Sequence, residues 1–289
     1  MIQKANFITF IGAPNVGKST LLNKLMDQKI SIVTPKAQTT RTSLKGIKIF
    51  GDTQLVFIDT PGIFDPKTYA DKVMVDCAWQ MISGTDKVCL LVDAQSPLTS
   101  RNRTTIENLK KEKIKTVLII NKVDTISKET LLKTAKELND LYNFEQTFMI
   151  SALKGKGTDS LIEYFISTAA AQPWPFGEDE ITTAPIKFMV SEIVREKVFL
   201  FTNKEVPYTT HIEVEHWEEN DNADVISVLI QVRDKNHKKI ILGAEGSLIK
   251  KIGTKARLEI EELLKKRIYL RTHIKIVPIE KMSLSYKAY

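Results

Sequence analysis

Cysteine is scarce in this 289-residue chain, which contains only Cys77 and Cys89. Neither belongs to a CxxC pair, so the pattern favours buried, reduced thiols over a metal or redox site. Long apolar runs are also missing, and the Val88–Val92 run is far shorter than a membrane span. The first apolar run begins near Phe7, which leaves no room for a signal peptide. These absences argue against a disulfide-stapled or membrane-spanning protein and predict a cytoplasmic location.

Histidine is rare as well, and the four histidines all lie in the C-terminal part of the chain. His211 and His216 are five residues apart on one predicted strand, so we expect them on opposite faces. A metal ion shared by this pair is therefore not expected, and we interpret both as structural or surface residues.

The basic excess is confined to one end of the chain. Residues 233–289 hold 15 Lys and Arg against 6 Asp and Glu, a surplus of nine. The preceding residues hold 27 against 29, a net charge of −2, which accounts for the total of +7. Concentrated positive charge suggests a polyanionic partner at the C-terminal end, with nucleic acid favoured over an anionic membrane surface.

A strand, a glycine-containing loop, a Lys-Ser pair and a helix follow one another near the start of the chain. The apolar run Phe7–Ile11 ends at Gly12, and an apolar helical pattern begins at Leu21. This order is typical of a phosphate-binding P-loop, in which glycines let successive N–H groups surround an anion. Lys18 would reach the β- and γ-phosphates, and the Ser19 hydroxyl would hold Mg²⁺. The predicted nucleotide-binding loop comprises Gly12, Ala13, Pro14, Asn15, Val16, Gly17, Lys18, Ser19 and Thr20.

Two further segments carry candidate ligands for the metal and the γ-phosphate. The polar stretch Ser31–Thr42 is interpreted as a mobile switch loop, in which Thr40, or alternatively Thr39, would complete the metal's oxygen shell. A buried strand ends in the run Asp59, Thr60, Pro61 and Gly62. The Asp59 carboxylate would hold a metal-bound water, and the Gly62 N–H would meet the γ-phosphate.

The signal for the base lies in the run Asn121, Lys122, Val123 and Asp124, which follows a predicted strand at 116–120. A carboxylate at Asp124 can accept two parallel N–H bonds from guanine, whereas adenine presents no matching donors. Asn121 and the stem of Lys122 would brace the loop and cover the base. The tripeptide Ser151, Ala152 and Leu153 would contact guanine through its backbone, and Asp93 is interpreted as a cap of its own loop.

Strands and helices alternate through the first part of the chain, which predicts an α/β domain with a doubly wound, mostly parallel sheet. We expect this domain over residues 1–171, with its last helix at about 158–170. A Pro-rich linker would follow over 172–185, and a smaller α+β domain over 186–289.

The second domain contains a Gly-x-x-Gly run between two predicted helices. This run, Gly243, Ala244, Glu245 and Gly246, is typical of the backbone clamp of a KH-type RNA-binding domain. The α-β-β-α-α-β order and the basic surplus point the same way. Phosphates would be met by Lys250, Lys251 and Lys255.

The order and spacing of these motifs resemble the Era family, bacterial GTPases with a C-terminal KH domain. The resemblance covers essentially the whole chain, including the run Arg195, Glu196 and Lys197. It implies hydrolysis of GTP to GDP with Mg²⁺, binding to the 3′ end of 16S ribosomal RNA, and assistance in 30S subunit assembly. It also implies peripheral association with the inner membrane, and we expect a monomer.

Ile63 stands where Ras-like GTPases place a water-orienting glutamine. The resemblance suggests that a K⁺ ion, held partly by Asn15, acts in its place, and slow intrinsic hydrolysis is expected. Two features depart from the family pattern: the acidic Glu245 within the clamp, and a tail after Val277 that lacks a Gly-Trp pair.

Alternative functions are a GTPase acting in tRNA modification or membrane transport, and an RNA-binding protein whose nucleotide is structural. The alternative GTPase would not require a Gly-x-x-Gly clamp. The intact Asp59–Gly62 motif argues against a purely structural nucleotide.

Overall fold

The computed structural model describes residues 2–36, 43–62, 75–76, 78–203 and 205–278. These residues form two compact units. Of the described residues, the first unit contains those up to Val33 together with 43–183, and the second contains Thr34–Lys36 together with those from Ala184 to 278. Thr39, Thr40, Ile63, Cys77 and the tail from 279 lie outside the described residues.

The first unit is built on a largely parallel sheet. Its strands are β1 (Lys4–Ile11), β2 (Leu44–Phe50), β3 (Thr53–Asp59), β4 (Lys87–Asp93), β5 (Thr116–Asn121), β6 (Thr147–Met149) and β7 (Ala170–Ala171). The spatial order is β2-β3-β1-β4-β5-β6, and β7 pairs with β1 off this path. Only β2 and β7 run antiparallel to their described partners. The predicted mostly parallel α/β sheet is thus confirmed.

Four helices of this unit have defined ends in the described chain: α1 (Lys18–Met26), α2 (Ser100–Lys111), α3 (Lys128–Leu141) and α4 (Thr158–Ser167). Thr99 and Ser127 start α2 and α3 by accepting backbone N–H groups with their side-chain oxygens. Helix α4 ends three residues earlier than the expected 170, because Ala170–Ala171 pairs with Lys4 and Ala5 at the start of β1.

Strand β1 lies at the point where the strand order reverses. It pairs with β3 on one side and with β4 on the other, so its carboxyl end opens into the crevice where α/β sheets bind ligands. The strands beside it are buried, and β3 is buried along its whole length. The loop that follows β1 therefore starts from the buried centre of the sheet.

Residues after β7 are held against the first unit by hydrogen bonds. The Trp174 indole N–H donates to the Asp52 carbonyl at 3.0 Å, and the Gln54 side chain bonds both the N–H and the carbonyl of Phe176. Thr182 bridges to Gly46 of β2. Much of the segment interpreted as a linker is therefore packed along the first unit.

The second unit has the predicted α-β-β-α-α-β order: α5 (Ile186–Phe201), β8 (His211–Glu218), β9 (Asp224–Val232), α6 (Lys235–Leu242), α7 (Ser247–Leu264) and β10 (Ile268–Ile276). The sheet order is β10-β9-β8, with β10 parallel and β8 antiparallel to β9. Apolar residues of α5, α7 and β9, including Val194, Ile230 and Ile260, form its core.

A β-bulge in β8 changes the faces expected for its histidines. His211 pairs with Gln231 and His216 with Ser227, and the register shifts between Val214 and His216. Gln231 and Ser227 lie four residues apart on β9, on one face, so both histidines lie on that face too. The expectation of opposite faces is wrong, because the extra residue reverses the alternation.

Every helix in the described ranges is too short or too polar to cross a lipid bilayer. The described residues also contain no group of three or more His, Cys, Asp or Glu placed to hold a metal ion. Cys89 is a buried free thiol, and burial raises its pKa far above the ordinary value.

Candidate nucleotide-binding site and nucleic-acid interface

The loop after β1 requires glycine at two of its positions. Gly12 has φ 145° and Gly17 has φ 102°. A Cβ at Gly12 would lie 2.4 Å from the Leu91 carbonyl oxygen, and one at Gly17 would lie 2.3 Å from the Asn121 side-chain nitrogen. Both positions thus need a backbone conformation and a close approach that only glycine allows.

Lys18 lies at the first position of α1, with its ammonium group folded back into the loop. Its Nζ donates to the carbonyls of Gly12 at 3.1 Å and Ala13 at 3.2 Å. Burial lowers the Lys18 pKa to about 8, an effect that the nearby Asp59 carboxylate opposes. The side chain therefore remains mostly protonated at neutral pH, and its positive charge is held inside the loop.

Ser19 and Asp59 meet at the base of the same loop. The Ser19 hydroxyl donates to Asp59 Oδ2 at 2.7 Å, and the Ser31 hydroxyl donates to the same oxygen at 3.0 Å. Hydroxyl and carboxylate oxygens are the ligands that Mg²⁺ prefers, so this pair fits a magnesium site. Ser31 was not singled out from the sequence, because no local spacing links it to Asp59.

The run after β3 packs directly on the loop. The Thr60 hydroxyl donates to the Phe10 carbonyl at 2.7 Å, and Pro61 and Gly62 are buried. A Cβ at Gly62 would lie 3.0 Å from the Pro14 ring and from the Pro14 backbone nitrogen. Gly62 thus lies where its backbone adjoins the phosphate loop.

Asn121 links three segments of the first unit. Its side-chain nitrogen donates to the Val16 carbonyl at 2.8 Å, and its side-chain oxygen accepts the Ala152 N–H at 2.9 Å. Asn121 is buried, and both bonds are shielded from water. One side chain thus joins the phosphate loop, the loop after β5 and the loop after β6.

Asp124 lies beside that junction with a partly exposed carboxylate. The Ser151 hydroxyl and the Lys154 ammonium hold its pKa below the ordinary value, and Lys154 Nζ lies 3.1 Å from Oδ2. The carboxylate is thus charged at neutral pH and able to accept N–H groups. The sequence pattern did not predict the pairing of Lys154 with Asp124. Leu153, which precedes Lys154, is 81% exposed.

Asp93 and Lys122 form an ion pair across neighbouring strand ends. Lys122 Nζ lies 2.6 Å from Asp93 Oδ2, while Asp93 Oδ1 accepts the Gln95 N–H at 3.0 Å. The loop-capping role expected for Asp93 is present, and the bond to Lys122 adds a second. Both side chains line a cavity of about 470 Å³ with Asn15 and other residues of the phosphate loop.

The Gly-x-x-Gly run of the second unit forms a tight turn between α6 and α7. Gly243 has φ 71° and ψ −178°, a region almost restricted to glycine. A Cβ there would lie 2.7 Å from Leu248 Cβ, whereas the nearest atom to a Cβ at Gly246 is 4.0 Å away. The first glycine is therefore required by contact as well as by conformation.

The basic residues beside the turn lie on the surface of α7. Lys250, Lys251 and Lys255 are exposed, and Ala244 and Glu245 are exposed at the tip of the turn. Lys251 Nζ also lies 4.4 Å from the centre of the Phe201 ring, a cation–π contact. Backbone and lysines together present a basic surface of the kind that phosphates bind.

The glycine loop with Lys18 follows β1, Asp59 ends β3 beside Ser19, and Asn121 ends β5. This arrangement at the carboxyl ends of the three strands is typical of the class of P-loop nucleotide-binding proteins. A family model described as a 50S ribosome-binding GTPase matches residues 7–122, and a KH domain model matches residues 205–280.

GTPase Era of Rhizobium meliloti is 43% identical over 94% of this chain and 88% of its own length. GTPase Era of Rickettsia bellii is 39% identical over 100% of this chain and 98% of its own length. A crystal structure of Era in complex with MgGDPNP and nucleotides 1506–1542 of 16S ribosomal RNA is also similar. Its TM-score is 0.92 at 34% identity, and the match covers 98% of this chain and 97% of that one.

The chain belongs to the Era family of GTPases. The expected GTPase domain followed by a KH domain is confirmed, and the activity is that of a GTPase, hydrolysis of GTP to GDP and phosphate.

Proposed function

We propose that the chain is a guanine-nucleotide switch that binds the 3′ end of 16S ribosomal RNA and assists assembly of the 30S subunit. The observation that carries the nucleotide half is Asn121, which ties the phosphate loop to both loops of the base site. Nucleotide binding and hydrolysis would belong to residues 1–171, and RNA binding to residues 186–289. Residues 172–185 would connect the two.

Within the first unit, Lys18 and the N–H groups of the phosphate loop would bind the phosphates. Ser19, Thr40 and Asp59 would hold Mg²⁺, which would neutralise charge on the phosphates. The Gly62 N–H would contact the γ-phosphate, and Asp124 would select guanine, with Lys122 and the Ser151–Leu153 backbone around the base. Hydrolysis would then depend mainly on positioning and charge stabilisation.

A K⁺ ion held partly by Asn15 is proposed to replace the missing glutamine. Asn15 is exposed on the phosphate loop with φ 64°, a conformation that asparagine adopts more readily than most residues. Replacing K⁺ with Na⁺ at constant ionic strength should lower the turnover number. Equal turnover in the two salts would contradict this part of the proposal.

The RNA half is supported by the clamp, the exposed lysines of α7 and the surplus of nine positive charges in residues 233–289. The similar Era structure is described as a complex with 16S ribosomal RNA, which makes the same RNA the first candidate here. We propose monomeric function in the cytoplasm with peripheral contact at the inner membrane. That location rests on family resemblance.

The deciding experiment titrates RNA matching nucleotides 1506–1542 of 16S ribosomal RNA into the full chain. A non-hydrolysable GTP analogue occupies the site in one series and GDP in the other. We expect tighter binding with the analogue, and binding of the purified 30S but not the 50S subunit. A shuffled RNA of equal length and composition is the control.

Equal affinity for the specific and shuffled RNA would contradict recognition of the 3′ end. Binding to the 50S subunit instead would redirect the proposal to the large subunit, in line with the description of the matching family model. Equal RNA affinity with the GTP analogue and with GDP would show that RNA binding is not coupled to the nucleotide state, and would contradict the proposed switch.

A further inference from the structure

The ion pair between Asp93 and Lys122 lies at the junction of two parallel strands. Asp93 ends β4 and Asn121 ends β5 directly beside it, and the Ala94 N–H donates to the Asn121 carbonyl at 2.9 Å. The two loops therefore leave the sheet side by side. Lys122, the next residue after Asn121, reaches back to this junction, and its Nζ lies 2.6 Å from Asp93 Oδ2.

Lys122 occupies an unusual backbone position for a long side chain. Its φ is 65° and its ψ is 34°, the left-handed region, and its carbonyl accepts the Thr125 hydroxyl at 2.6 Å. The flanking residues of this loop are each tied to a partner, Asn121 to Val16 and Asp124 to Lys154. The bond to Asp93 gives Lys122 an equivalent anchor.

The pair also adjoins the phosphate loop. Asp93 and Lys122 line the same cavity as Ala13, Asn15 and Val16. The Asp93 side chain is 17% exposed and that of Lys122 is 36% exposed, so the bond is partly shielded from solvent. The ion pair therefore lies beside the phosphate loop, and Asp93 takes part in it without itself being one of the proposed phosphate or base contacts.

We propose that Asp93 is a positioning residue for guanine-nucleotide binding. Its carboxylate holds the Lys122 side chain in place before the nucleotide binds. A lysine side chain loses much rotamer freedom when it is ordered, and an existing bond at its end removes that loss from the binding step. The proposal rests on the proposed contact of Lys122 with the nucleotide.

The test uses Asp93→Asn in the full chain, because the amide oxygen can still accept the Gln95 N–H while the charge facing Lys122 is lost. We expect GDP to dissociate about tenfold faster, which corresponds to part of the rotamer entropy of one lysine. KM for GTP should rise with it, while the turnover number at saturating GTP stays within about twofold. A general loss of structure would not produce this division between KM and turnover.

Lys122→Met should accelerate GDP release to a similar extent, and the double variant should be no faster than Lys122→Met alone. Glu145→Gln is the matched control, since it breaks the 3.0 Å pair with Lys87 at the other end of β4. Its GDP release should equal that of the wild type. If Asp93→Asn does not fold, Asp93→Glu should release GDP about two- to threefold faster, and only when Lys122 is present.

Wild-type GDP release in Asp93→Asn, or additive effects in the double variant, would overturn the proposal for Asp93. Unchanged release in Lys122→Met is a separate result, since it would refute the contact of Lys122 with the nucleotide itself.

Discussion

At the scale of single residues, the nucleotide site depends on contacts that leave no space for an added methyl group. Gly17 and Asn121 come from segments more than a hundred residues apart, yet a Cβ on Gly17 would overlap the Asn121 amide at 2.3 Å. That amide donates to the Val16 carbonyl beside Gly17. The same side chain therefore limits the residue at 17 and holds the loop around it.

Gly17→Ala should weaken GDP binding by about 2–4 kcal/mol, because it strains a left-handed backbone and displaces a buried hydrogen bond. Equilibrium titration with a fluorescent GDP analogue measures the change. Gly51→Ala is the control, since Gly51 also has positive φ, at 61°, but no atom lies within 4 Å of an added Cβ. That variant should lose about 1–2 kcal/mol of folding stability and keep GDP affinity. Equal GDP affinities for the two variants would contradict the steric argument.

At the scale of elements, the turn between α6 and α7 distinguishes its two glycines. Gly243→Ala should weaken RNA binding more than Gly246→Ala, because only the first Cβ meets Leu248 and enters a region of backbone angles almost closed to alanine. We expect a difference of about 1–3 kcal/mol in RNA binding.

Gly253→Ala is the control for the turn variants. Gly253 lies inside α7 with open space around an added Cβ, so alanine should stabilise the chain by about 0.5–1 kcal/mol and leave RNA affinity unchanged. RNA binding by Gly243→Ala as tight as that of Gly246→Ala would refute the requirement for glycine at 243.

The β8–β9 hairpin should carry a measurable acid dependence. Asp224 bonds Lys266 at 2.6 Å and the Trp217 indole N–H at 3.0 Å, and these donors hold the pKa of Asp224 below its ordinary value. A lowered pKa stabilises the fold at pH values above the unfolded-state pKa, and the contribution is lost as pH falls through the folded-state pKa.

Asp224→Asn should therefore reduce stability at pH 7 and flatten the loss of stability between about pH 5 and pH 2. Denaturant unfolding followed by tryptophan fluorescence at several pH values measures this. Lys4 lies 3.8 Å from Asp52 in a partly exposed ion pair, and Asp52→Asn serves as the comparison. An acid limb of unchanged slope in Asp224→Asn would show that this carboxylate does not control it.

At the scale of the whole molecule, the two proposed functions, nucleotide binding and RNA binding, fall on regions of different net charge. The residues before 233 have a net charge of −2, and those from 233 onward a net charge of +9. A phosphate site built from backbone N–H groups and one buried lysine responds little to salt, whereas an exposed basic surface responds strongly.

RNA affinity should fall with rising salt, with a slope of log affinity against log salt of about −2 if roughly three phosphates are engaged. Lys250→Gln should reduce that slope by about one phosphate equivalent. GDP affinity, measured over the same salt range, should change much less. A flat salt response of RNA binding would contradict a phosphate-based interface.

The sequence by itself determined the local parts of this protein. The phosphate loop, the Asp59–Gly62 run and the Gly-x-x-Gly turn could be predicted because their conformations depend on residue types a few positions apart. The order of strands and helices followed from apolar periodicity, and the charge of the C-terminal end could be counted directly.

Only the tertiary structure decided which distant side chains meet. Asn121 reaches Val16, Lys154 reaches Asp124, Ser31 reaches Asp59 and Asp93 reaches Lys122 because the sheet brings separate loops to one edge. The bulge in β8 and the pairing of Ala170–Ala171 with β1 are likewise set by neighbouring strands. Such contacts join residues far apart along the chain, so their distances arise from packing, which no local pattern of residues encodes.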